Sequence, residues 1–305
     1  MRIAWHHRER GDAIAFRWTA IPDRELWDNP DTVYASAIFE KTLPSVERLR
    51  ASFPKAIVGG TGVNIASSLE NYGITTARQD YSLYPTWRQS IGFTQRGCRL
   101  KCSFCVVPKK EGSIRENQTI HDLWRGDPWP RELILLDNDF FGQPNWRDRI
   151  REIRDGKFKV SFNQGINARF LTDEAAEAAA SVDYRNDTMT TKRIYTAWDN
   201  KKDEDRLFAG LKRLVKYGVK PDHIMVYILV GYWPGETIED CLYRQKKLRE
   251  FGARPYPMPF IRTRELVGFQ RWIIGAYDKR ISWQDWKAAK YQPSNLTPTE
   301  TSLSA

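Results

Sequence analysis

Cysteine, histidine and methionine are scarce in this 305-residue chain, with four of each. Three of the four cysteines, Cys98, Cys102 and Cys105, fall within eight residues, which is poor spacing for disulfides and good spacing for a metal or cluster. The histidines His6, His7, His121 and His223 form no ligand-spaced group. No apolar run approaches the ~18 residues that a membrane helix needs. The opening MRIAWHHRERGDAIAF holds no apolar stretch of the signal-peptide kind. A cytoplasmic protein without membrane association is expected, its thiols kept reduced. Internal repeats and low-complexity blocks are also missing.

The rest of the composition is that of a packed globular protein, with 41% hydrophobic and 28% charged residues. The length allows one large domain with a small one, or two ordinary domains. A net charge of +10 points to an anionic partner, nucleic acid or a phosphorylated substrate among the choices. Much of that excess is scattered over Arg147, Arg149, Arg151 and Arg154, or Lys212, Arg213 and Lys216, and reads as solvated helix faces. Twelve tryptophans serve packing or stacking.

Two patterns follow one another along the chain. In 1–85, a strand at 31–38, a helix at 45–52 and a strand at 54–58 lead into Gly59-Gly60-Thr61-Gly62, a small α/β module. In 86–280, strands near 90–95, 132–136, 159–163, 191–197, 224–230 and 255–260 alternate with helices. Continuous apolar strands separated by helices predict a parallel sheet covered on its faces. Six units are too few for a full barrel, so the expected fold is α/β, a partial (βα)6 TIM-like barrel. Residues 281–305 form a C-terminal extension, and the polar tail from Pro293 is expected to be partly disordered. Polar residues gather just after the strands: Asp137, Asn138 and Asp139, then Gln164, Asp199 and Glu236. In parallel α/β folds that edge binds ligands.

Cys98-x3-Cys102-x2-Cys105 carries the chemistry. Three thiolates can ligate three irons of a [4Fe–4S] cube and leave the fourth iron open. The alternatives fit the spacing less well. Structural zinc wants four ligands in two pairs, and the nearest histidine, His121, is far downstream. A redox pair of Cys102 and Cys105 would leave Cys98 idle. Three structural thiols placed by chance are the remaining reading. Cys241, on the apolar side of a helix with Ile238 and Leu242, reads as a core thiol.

GCRLKCSFC, with Phe104 before its last cysteine, resembles the C-x3-C-x-φ-C signature of the radical S-adenosylmethionine (SAM) superfamily. The run TQRGCRLKCSFCVVPKKEGSIRE is similar to the subgroup with a cobalamin-binding-like domain ahead of the barrel. LLDNDFFGQPNW, FNQGINARFLTDE, YTAWDN and VYILVGYWPGETIED resemble the same subgroup's strand ends. The resemblance implies a [4Fe–4S] cluster on Cys98, Cys102 and Cys105, whose open iron is chelated by SAM. One electron from a flavodoxin- or ferredoxin-like donor then cleaves SAM, and the 5′-deoxyadenosyl radical abstracts a substrate hydrogen. It implies Phe104 beside the adenine and Asp137, Asn138 and Asp139 around SAM's ammonium. Gln164 and Asp199 would serve the ribose hydroxyls or carboxylate, Arg115 the carboxylate, and Gly231 a backbone approach to the adenine.

The glycine turn at 59–62 resembles that of the cobalamin-binding-like domain, but no D-x-H-x-x-G motif supplies a histidine. The module looks like a truncated Rossmann-like domain, and cobalamin is not expected. Two other function classes remain open on the sequence. One is an iron–sulfur redox or nucleic-acid-binding protein without SAM turnover, and the other is a degenerate interaction module. The substrate is not legible, and a nucleic acid or another anion fits the charge.

Overall fold

Residues 1–18, 30–115 and 118–291 are described by the structure, a computed structural model. The chain is mixed α/β, and the three sheets among its described residues are all parallel. It divides into two units, Met1–Gln89 with Arg96–Arg115 and Ser90–Gln95 with Glu116–Ala305. The cysteine loop thus groups with the N-terminal residues, while the strand that precedes it groups with the rest of the chain.

The first unit holds α1 (Arg2–Glu9), β1 (Tyr34–Ser36), α2 (Leu43–Ser52), β2 (Ile57–Gly59) and α3 (Val107–Lys110). The two strands are shorter than the apolar pattern predicts. They pair with Tyr34 opposite Ile57 and Ser36 opposite Gly59. Val46 and Leu49, one turn apart on α2, bury against Ala37 and Val58. Helix α1 was not expected, because its only buried residue is Ala4 and it shows no apolar period. It is tied down by polar contacts: Arg2 Nε donates to Thr76 O at 2.6 Å, and Arg8 pairs with Asp80 at 2.8 Å.

In the second unit, β3 (Ser90–Gly92), β4 (Glu132–Leu135), β5 (Lys159–Phe162) and β6 (Asp183–Tyr184) form one sheet in that order. A second sheet runs β7 (Ile194–Trp198), β8 (Ile224–Val230) and β9 (Arg254–Pro259). Strands stand at all six expected places, and the two-residue β6 is an addition too short to show a period. The helices are α4 (Ile120–Leu123), α5 (Trp146–Asp155), α6 (Asp173–Ser181), α7 (Glu204–Lys216), α8 (Ile238–Phe251), α9 (Arg264–Ile274) and α10 (Trp283–Tyr291). Four of them start on a threonine whose hydroxyl accepts a backbone N–H of the first turn: Thr119, Thr172, Thr237 and Thr263.

Alternate strand residues face one core. Leu133, Leu135, Val160, Phe162, Ile194, Trp198, Ile224, Val226, Ile228 and Val230 bury with Leu207, Leu211 and Leu248 from the helices. The two sheets are joined where Ile166 N–H, just after β5, donates to Tyr195 O of β7 at 2.8 Å. The turn that follows meets α7 at Gly210, where an added Cβ would stand 1.9 Å from Ala168 O. Because the obstacle is backbone, Gly210→Ala is expected to destabilise the protein by about 1–3 kcal/mol. A lower urea midpoint with an unchanged m-value would show it, and an unaltered midpoint would contradict the contact.

β9 reads RPYPMP. Its prolines alternate with Tyr256 and Met258, so only one side of the strand keeps its N–H groups. That side pairs with β8, and the proline side leaves an edge that cannot accept another strand. The C-terminal extension contributes α10, whose buried Trp283 and Trp286 stack at 5.6 Å and join the core. The polar tail from Pro293, expected to be partly disordered, lies outside the described residues. No helix among the described residues is long and apolar enough to cross a membrane.

Candidate functional site

The cysteine loop is closed at its base by a two-way backbone pair. Arg96 N–H donates to Arg115 O at 2.8 Å, and Arg115 N–H to Arg96 O at 2.9 Å. Above it, Gly97 N–H donates to Glu111 Oε2 at 2.9 Å and Cys98 N–H to Gly112 O at 3.2 Å. Arg115, whose side chain was expected at SAM's carboxylate, serves this closure through its backbone. Cys98, Cys102, Phe104 and Cys105 are all half-buried, and no cysteine is in a disulfide. A turn from Cys105 N–H to Cys102 O, 3.1 Å, sets the last two cysteines on one bend. Leu100 N–H donates to Cys98 Sγ at 3.4 Å.

A thiolate-only donor set suits an iron–sulfur cluster in its chemistry, and the N–H on sulfur is of the kind that tunes one. No three His, Cys, Asp or Glu side chains among the described residues are gathered around a single metal ion. A cube asks for something different, since each thiolate binds its own iron.

In the second unit the residues after β3 and β4 form a buried polar knot. Asp137 Oδ1 accepts from Thr94 Oγ1 and, at 2.8 Å, from Gln95 N–H, while Oδ2 accepts from Thr94 N–H at 3.2 Å. Gln143 Nε2 donates to Thr94 Oγ1 at 2.9 Å, and Gln95 Nε2 to Asp139 O at 2.9 Å. Asp137 and Asp139 are buried and Asn138 is half-buried. Asp137 was expected to receive SAM's ammonium, but both its oxygens are already taken by the chain's own donors. It holds the last two residues before the cysteine loop. The sequence clue to this knot was Thr94-Gln95, two polar residues placed directly between an apolar strand and the motif. Gln95 Oε1 is buried and has no hydrogen-bond partner among the described residues.

Burial pushes the Asp137 carboxyl up to about 6, against the donors on Thr94 and Gln95. A folded-state value above the unfolded one means that the stability it contributes is full at low pH. That stability is lost as pH rises from about 4 to about 6. Two units correspond to about 3 kcal/mol. Asp137→Asn is expected to remove this slope and to lower stability, since its amide nitrogen would face the Thr94 N–H. Urea unfolding between pH 4 and pH 7 reads both effects, and the same slope in the variant would contradict them.

At the ends of β7 and β8 a second buried group is built on Arg244, an arginine on the core side of α8. Its guanidinium pairs with Glu236 and donates to Leu229 O at 2.9 Å and Trp198 O at 3.2 Å. Glu236 Oε2 in turn accepts Gly231 N–H at 2.6 Å. Gly231's backbone, expected to approach an adenine, therefore turns its N–H to Glu236. Arg244 was not singled out from the sequence. Its signal was its place in the stripe Cys241, Arg244, Gln245, Leu248, where a charge must find a buried partner. Cys241 is buried, its thiol pushed up to about 11 by that burial, as a core thiol should be.

Asp199 is half-buried at the end of β7, and no hydrogen bond reaches its carboxylate among the described residues. Burial raises its carboxyl above the usual range, with Arg169 opposing. Its carbonyl accepts Trp233 Nε1 at 2.6 Å, which ties the loop after β8 to the end of β7. Gln164 is exposed after β5. Parallel pairing places Asp199 and Gly231 at one edge of their sheet, and Asn138 and Gln164 at the matching edge of theirs.

The glycine turn after β2 is filled by its own chain. Gly62 N–H donates to Ala37 O at 3.1 Å, and a Cβ on Gly60 would stand 2.3 Å from that oxygen. Its glycines serve a close backbone packing. Neither the protein-family models nor the curated proteins contain a match to this chain.

Proposed function

We propose that this protein is a radical SAM enzyme, with a [4Fe–4S] cluster on Cys98, Cys102 and Cys105. The reading rests on one observation, three half-buried thiols in eight residues on a closed loop with a backbone N–H on sulfur. Cys98, Cys102 and Cys105 would hold the cluster, and the chemistry it would supply is the one-electron reduction that cleaves SAM to methionine and a hydrogen-abstracting 5′-deoxyadenosyl radical.

The chain's own residues hold and orient. Asn138 is assigned to SAM's ammonium, a cation that an amide oxygen can accept. Asp199, whose carboxylate no hydrogen bond reaches, is assigned to the ribose hydroxyls, with Gln164 beside it on the neighbouring sheet edge. Phe104 is assigned to the adenine. Asp139 and Gly231 receive no contact to SAM in this reading, and Asp137 positions the strand end that leads to the cysteines. The finer fold assignment is a partial TIM-like barrel of β3 to β9. The hydrogen bond from Ile166 to Tyr195 supports it by continuing one sheet towards the next.

The cytoplasm is the assigned compartment, since it keeps thiols reduced, and a flavodoxin- or ferredoxin-like protein is the assigned electron donor. Cobalamin has no part in this reading. The test is electron paramagnetic resonance of the reduced protein with and without SAM. SAM bound at the cluster would change its signal, and an identical spectrum would overturn the reading. Asn138→Ala and Asp199→Ala are each expected to weaken SAM binding about tenfold, the worth of one lost hydrogen bond to a charged group or buried acceptor. Unchanged affinity in both would remove these two assignments.

A further inference from the structure

We propose that the end of β9 and the loop after β8 form a platform for a single-stranded RNA segment, which names the substrate class of the enzyme proposed above and rests on that reading. Phe260 is 52% and Ile261 57% exposed, an unusual cost for large apolar side chains next to each other at a strand end. Tyr232 sets its ring 4.8 Å from Phe260, and Trp233 lies 5.0 Å from Tyr232, both edge-to-face. The Tyr232 ring, itself braced by Trp233, thereby holds Phe260 from one side and leaves its exposed part to solvent.

Charge decides the occupant. Arg262 and Arg264 follow at once and are exposed, and no acidic residue lies between Phe260 and Arg264. The next acid along the chain, Glu265, is paired with Lys287 at 2.6 Å, and Glu236 of the loop after β8 is paired with Arg244. Arg262 has no ion-pair partner among the described residues. A surface for an apolar protein partner would not need this cation, whereas a ring with adjacent arginines suits a base and its phosphates. A duplex hides the base faces, so the ligand must be unpaired. RNA loops present unpaired bases, which makes RNA the fit. The platform adjoins the candidate SAM residues by chain and by bond, since Tyr232 follows Gly231 and Trp233 Nε1 donates to Asp199 O. A nucleotide stacked on Phe260 would therefore lie along the same sheet edge.

Fluorescence anisotropy of the anaerobic holoprotein with a labelled RNA of about 16 nucleotides tests this. The unpaired RNA should bind, and Phe260→Ala should weaken it about tenfold, as the loss of one base stack does. Arg262→Ala should lower the salt slope by about 0.7, one phosphate contact on a single strand. Both side chains are exposed, so folding should survive, and circular dichroism checks it. Equal affinity of Phe260→Ala, or binding of duplex RNA or of the same-sequence single-stranded DNA as tight as the unpaired RNA, would overturn the proposal. SAM cleavage without RNA, measured alongside, keeps the two claims apart. RNA binding that fails while SAM is cleaved sinks only the platform, and RNA binding without SAM cleavage sinks only the enzyme reading.

Discussion

Cys102→Ala is expected to abolish the cluster. The parent protein, reconstituted anaerobically, should carry about four irons and four sulfides and a broad visible absorbance, and the variant should carry almost none. Cys102 is the middle thiol of the proposed set. Its carbonyl also accepts Cys105 N–H, but that contact is backbone and survives the substitution. The loss would therefore report on the thiol and not on a collapsed loop. Cys241→Ala is the control, because that thiol is buried and held in the protonated form by its surroundings. It should leave iron content untouched. A variant at Cys102 that keeps four irons, or a parent that holds only zinc, would contradict the assignment.

Arg244→Met is expected to destabilise the fold more than any other single change in the second unit, by about 3–5 kcal/mol. Arg244 is fully buried, and Glu236 loses its counter-charge where water cannot replace it. The Leu229 and Trp198 carbonyls lose their donor in the same step. Adding Glu236→Gln should recover part of the loss, because an uncompensated charge is then no longer buried. Urea midpoints of the two single variants and the double variant give the coupling. Additive effects would mean that the pair is not the buried unit that the geometry describes. The same measurement bears on function, since the pair fixes the ends of β7 and β8 that carry Asp199 and Gly231.

What could be read from the sequence follows physical rules. The strand IMVYILV is buried on both faces in a parallel sheet, so its apolar run is continuous and legible. The threonine caps at 119, 172, 237 and 263 are local chemistry, set by a hydroxyl and the first turn's own N–H. The two-residue β6 and the polar α1 were not legible, since neither has a period to read. The tryptophans of α10 looked like part of an extension, because their burial depends on α9, which is distant in chain terms only by a turn. At the candidate site the cysteines stood out by spacing alone. The polar residues after the strands were also visible, but not their division of labour. Asp137 and Asp199 look alike in sequence as acids closing a strand. Only the donors of Thr94 and Gln95 show that Asp137 is spent on the chain itself, while Asp199 keeps a carboxylate that no hydrogen bond reaches. Arg244 shows the same limit, because the partner that justifies a buried charge comes from another element.

The most direct test of the central claim is a search for 5′-deoxyadenosine. The anaerobically reconstituted protein is incubated with SAM and dithionite, with the Cys102→Ala variant in parallel. The account predicts 5′-deoxyadenosine and methionine in equal amounts from the parent and neither from the variant. Four irons per chain in the parent with no 5′-deoxyadenosine, under conditions where SAM and reductant are both in excess, would contradict it.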